Sequence, residues 1–126
     1  MNKYVVASIL FPLIDLPYLR LISKHFNKVI SKITKEKPQY NIIKAIVAYI
    51  ILAFGINYYI ISDMNKNNIN KKLLDSFFLG LVIYGTFDFT NGAIFKDYDY
   101  MTMLIDTFWG AILHLLVTYL TFKITQ

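Results

Sequence analysis

Three aspartates stand inside apolar stretches of this chain: Asp15, Asp88 and Asp106. A carboxylate in such a setting is costly unless it is paired, protonated or hydrated. Its chemistry there is the holding of a cation, a proton or a polar headgroup. The residues around the three have the types needed to complete a site. Tyr84, Asp88 and Asn91 fall at i, i+4 and i+7, one face of a helix. Asp106, Trp109 and Gly110 form a similar patch at i, i+3 and i+4. An indole N–H can donate to a carboxylate, and a glycine lets another helix approach. Asp88 reads as the central carboxylate, with Asp15 and Asp106 beside it. Asn91 and Tyr84 read as orienting groups and Trp109 as a cap or wall. Lys44 is the candidate counter-ion, with Arg20 as the other cation nearby, and Tyr49 and Asn57 add polar groups deeper.

Other chemistry competes for the same residues. Carboxylates bonded to Tyr, Asn, Trp and Lys across helices can serve only to fix the packing of a small bundle. They can also do acid–base work on lipid at headgroup depth. No Ser-His-Asp order, phosphate loop or glycine-rich fingerprint accompanies them, so no catalytic residue is assigned and the reading leans away from an enzyme. Hard carboxylates can hold a divalent cation, but no ligand spacing specifies a metal site. No cofactor is implied. His114 reads as a hydrogen-bonded packing residue rather than a ligand. With no Cys, thiolate chemistry and disulfides are excluded.

The elements that must position these groups are membrane spans. The chain has 126 residues, 56% of them hydrophobic and 17% charged, with a net charge of +5. Its mean hydropathy is +0.47. A soluble domain carries about 25% charged residues, and disorder needs low hydrophobicity. A spanning helix needs about 20 mostly apolar residues. Four stretches qualify, at about 4–22, 41–62, 73–95 and 102–124. The expectation is an all-α integral membrane protein, a single four-helix transmembrane domain over 1–126 with multi-pass topology. Asp15 and Pro17 interrupt the first stretch and no small-residue cleavage site follows, so the first span is expected to be retained.

At 1.5 Å per residue, Asp15 lies roughly 10 Å from the end of its span, Asp88 roughly 11 Å and Asp106 roughly 6 Å. All three distances run from the face of the first and third connections. That face also holds Arg20, Lys24, Lys28, Lys32, Lys35, Lys37 and Lys96, against Lys3, Lys66, Lys71, Lys72 and Lys123 opposite. The bias places those connections in the cytoplasm and both termini outside. In the first connection Phe26, Val29, Ile30 and Ile33 share one helical face and the lysines take the other. This pattern predicts an interfacial amphipathic helix over 24–37, ended by Pro38, whose lysines gather anionic lipid. Lysines this close to spans serve topology, so no nucleic-acid partner is expected. Four short helices enclose little volume, and a homodimer is expected.

The run Tyr84-Gly85-Thr86-Phe87-Asp88-Phe89-Thr90-Asn91, followed by Asp106-Thr107-Phe108-Trp109-Gly110, resembles the signature of a family of small four-span proteins, domain of unknown function 2177. Its pattern reads roughly Y-x-T-Y-D-L-T-N and then D-x-x-W-G on the next helix. Asp15 and Tyr49 also match positions the family favours. Phe87 stands where Tyr is usual, Phe89 where Leu is usual, and Tyr18 near where Trp is often found. The resemblance covers nearly the whole chain. It implies a four-helix membrane protein and points to Asp15, Asp88, Asn91, Asp106 and Trp109. It brings no established activity.

Overall fold

The computed structural model describes residues 2–36 and 41–126. Four helices follow one another: α1 (Lys3–Thr34), α2 (Ile42–Ile56), α3 (Ile69–Ile94) and α4 (Tyr100–Thr125). A π-turn over Asn57–Ile61 extends α2 to the length of a span. Each of the four is long and apolar enough to cross a bilayer. Their outer surfaces fit that solvent. Ile43, Ile46, Val47, Ile50 and Phe54 of α2 are all exposed. In water such a surface would be a large apolar patch; against lipid it costs nothing.

Short polar side chains start three of the helices. The Asn2 carboxamide accepts from the Tyr4 N–H at 2.8 Å, Asn41 from Lys44 at 3.1 Å and Asp99 from Thr102 at 3.3 Å. Each satisfies a backbone donor that the first turn leaves free. The turn before α3 is tied by Asn65, Asn68 and Asp63, and Asp63 pairs with Lys72. That ammonium hydrogen-bonds to the Asp63 carboxylate and holds it below the usual carboxylate range.

The first helix departs from expectation. No separate interfacial helix follows the first span: α1 runs unbroken through Pro12, Pro17 and the basic segment to Thr34. Its 32 residues make a rod of about 48 Å, longer than the hydrocarbon core of about 30 Å. The apolar face of the segment is used by the protein itself. Val29, with Phe26 and Ile33, packs on Tyr98 and Met103 at the α3–α4 connection. His25 Nε2 also meets the Thr102 hydroxyl at 2.7 Å. The helix stops at Lys35, whose φ of 64° is left-handed, with its N–H on the Ser31 carbonyl. Lys37 and Pro38 lie outside the described residues.

α4 is the spine of the bundle. It buries Thr107, Gly110, Ala111, Leu113, His114 and Val117, and α3 and α1 pack along it. Gly80 of α3 meets Gly110 of α4 backbone to backbone, a contact that no larger residue allows. His114 is buried there, its Nδ1–H donated to the Gly110 carbonyl at 2.8 Å and Phe11 set edge-on to its ring. α3 meets the second span mainly at the π-turn. Towards the opposite face the two helices leave an opening between them.

Candidate functional site

All three aspartates converge in the half of the bundle nearest the first and third connections, each held by neutral donors. Asp15 of α1 is buried. Its Oδ1 accepts from the Trp109 indole N–H at 2.7 Å and its Oδ2 from the Tyr49 hydroxyl at 2.5 Å. One carboxylate thus ties α1 to α2 and α4. Asp88 of α3 is 0% exposed. It accepts from the Tyr98 hydroxyl at 2.8 Å and from the Thr107 hydroxyl at 3.3 Å. Asp106 of α4 is half-buried and accepts from the Tyr18 hydroxyl at 3.1 Å. The Tyr18 ring stacks on Trp109 with centroids 4.6 Å apart. Asp88 and Asp106 interact directly, and Asp15 feels the charge of Asp106.

The cations are elsewhere. Lys44 and Arg20 are exposed, and neither forms an ion pair with Asp15, Asp88 or Asp106 among the described residues. The hydroxyl and indole donors solvate these carboxylates without bringing a positive charge to them.

A cavity of about 450 Å³ opens beside the triad, within the size range of small-molecule pockets. Asp15, Tyr18, Tyr84 and Asp106 line it together with apolar side chains of α1, α2 and α3. Asp88 is not part of that wall. It sits behind Asp106, where the sequence reading had made it central. No group of His, Cys, Asp and Glu among the described residues has the geometry to hold a metal ion.

The remaining candidates take distinct places. Trp109 does donate to a carboxylate, and the acceptor is Asp15. Tyr84 lines the cavity and packs its ring against Gly110, with the His114 ring 6.0 Å away. No partner for its hydroxyl is found among the described residues. Asn91 lies within hydrogen-bonding reach of Tyr98, the tyrosine that donates to Asp88. Sequence reasoning missed Tyr98 and Thr107 as partners of Asp88. Thr107 was legible in principle, as the hydroxyl next to Asp106 in the D-x-x-W-G run. Tyr98 gave no signal, because only the fold of the α3–α4 connection swings it back over α3.

The sequence model of one protein family, described as Predicted membrane protein (DUF2177), matches residues 1–123. No curated protein and no solved structure matches the chain.

Proposed function

The chain belongs to the DUF2177 family of predicted membrane proteins, and we propose that it binds a small positively charged or donor-bearing solute inside the bilayer. Asp106 and Asp15 face that solute from the cavity wall. Asp88, behind them, meets Asp106, and Tyr18 and Tyr84 supply hydroxyls. The supporting observation is that Asp15 and Asp106 border an open cavity and that none of the three aspartates has a cation paired with it among the described residues. Binding, with or without release on the other face, is the activity this geometry serves.

The test is native mass spectrometry and proteoliposome flux with methylammonium, comparing wild type with Asp106→Asn. A bound cation or flux lost in a folded Asp106→Asn protein supports the reading. Its absence from both forms even at saturating methylammonium refutes it. One observation favours a second reading: Asp15 joins three helices, so the cluster can act purely as glue. In that case the mutant loses stability and wild type binds nothing. A homodimer, and anionic lipid about the exposed Lys24, Lys28 and Lys32, complete the proposal. Subunit count and co-purified lipid in the same spectra test both.

A further inference from the structure

The walls of the cavity restrict what can reach the carboxylates. The polar groups Asp15, Tyr18 and Asp106 come from α1 and α4, at the back, with Tyr84 beside them. The flanks are apolar, among them Ile22, Phe26, Ile51, Leu52 and Phe87. Ile51 is 64% exposed and Phe87 52% exposed, so these two mark the rim, between α2 and α3. That rim faces lipid rather than water. A hydrated inorganic ion would cross apolar surface and then find too few oxygens to replace its shell, since a cation such as Ca²⁺ takes about 6–8. A charged group on an alkyl chain meets neither obstacle. Its chain is at home in the rim and in the lipid beyond, and its head reaches the wall.

Resting on the function proposed above, we infer that the ligand is a single-chain amphiphile with a protonated amine head, taken up sideways from the lipid between α2 and α3. Charge complementarity selects the head. Ionised carboxylates accept hydrogen bonds and cannot donate them, and an ammonium offers three donors. The cavity is also large enough to take in a single chain with its head. At about 30 Å³ per small group, a cavity of about 450 Å³ holds on the order of fifteen non-hydrogen atoms. Dodecylamine falls just under that size.

The chain carries its own reporter. Trp109 is the single tryptophan, stacked on Tyr18 and bonded to Asp15. The experiment titrates the full-length protein in lipid nanodiscs with dodecylamine, methylammonium and dodecanol. Trp109 emission and the unfolding midpoint are both followed. Expected are a saturable emission change and a raised midpoint with dodecylamine. Methylammonium should act only weakly, and dodecanol not at all. In Asp106→Asn the dodecylamine affinity should fall on the order of tenfold or more. Ala48→Phe, which narrows the cavity from the exposed side of α2, should weaken dodecylamine and leave methylammonium alone. It decides the matter should Asp106→Asn not fold, because an unchanged dodecylamine response in Ala48→Phe overturns the inference. Methylammonium binding as well as dodecylamine overturns the amphiphile while leaving the cation site intact. A dodecanol response equal to that of dodecylamine, or no saturable response to either amine, overturns both.

Discussion

At Gly80 the backbones of α3 and α4 come as close as two helices can, and a single methyl group there tests the packing. A Cβ at Gly80 would lie 2.2 Å from the Gly110 carbonyl oxygen and 2.7 Å from Nδ1 of His114. Ordinary contact begins near 3.4 Å, so Gly80→Ala forces the helices apart by about 1 Å or tilts them. The Gly110 oxygen cannot swing away, being backbone in mid-helix and already the acceptor of the His114 N–H. Overpacking of this kind costs about 1–3 kcal/mol, and losing the histidine bond adds about 1 kcal/mol. Alanine returns up to about 1 kcal/mol of helix propensity. The net expectation is a loss of about 1–3 kcal/mol. Gly55 is the control: a Cβ there meets nothing within 4 Å. Gly55→Ala should be neutral or gain up to about 1 kcal/mol. The assay is unfolding in mixed micelles, titrated with a denaturing detergent and followed by far-UV circular dichroism. A Gly80→Ala protein as stable as Gly55→Ala would refute the close α3–α4 contact and the bundle built on it.

Other perturbations test other parts of the argument. Thr107→Val removes a hydroxyl from buried Asp88 and leaves its Oδ2 short of a donor, which should cost about 1–3 kcal/mol in the same assay; a neutral result would mean that the bond is not formed. Val29→Asp places a carboxylate between α1 and the Tyr98–Met103 cluster and should cost more than about 2 kcal/mol. Were that segment lying free on lipid headgroups, stability would hardly change and lipid affinity alone would fall. Asp63 is held below the usual carboxylate range by Lys72, so its pair stabilises the fold above the ordinary value of about 4 and releases it as pH drops through the depressed one. The unfolding midpoint should therefore fall on acidification below about pH 4, and Asp63→Asn should flatten that part of the profile. An unaltered profile would remove the turn's ion pair from the account.

The spans were legible because length and apolar content alone define them. The convergence of Asp15, Asp88 and Asp106 was legible too, since helical rise puts them at similar depth. What could not be read was rotation about each helix axis. Rise places Asp88 and Asp15 level, yet only packing decides that Asp15 faces the cavity and Asp88 faces Thr107 and Tyr98. The basic segment shows the same limit. Its period marks Phe26, Val29, Ile30 and Ile33 as one apolar face, and all but Ile30 join the cluster, but a period does not say what covers that face. Here the cover is Tyr98 and Met103 from the far end of the chain.

On the function proposed above, glue and binding site need not exclude one another, because the three carboxylates are placed unequally in the bundle. An ionised carboxylate offers about four acceptor positions. Asp15 takes bonds from Tyr49 and Trp109, and Asp88 from Tyr98 and Thr107, both deep in the packing. Asp106 takes one from Tyr18 and also meets Asp88, is half-buried and borders the cavity. The two well-supplied aspartates bind the helices together, and in doing so they fix Trp109, Tyr18 and the wall around the third. A site needs that kind of backing, since a charge held by neighbours with locked rotamers presents a fixed geometry to a ligand. On that reading Asp106 is the carboxylate a ligand meets, and the packing that secures Asp15 and Asp88 holds the wall around it.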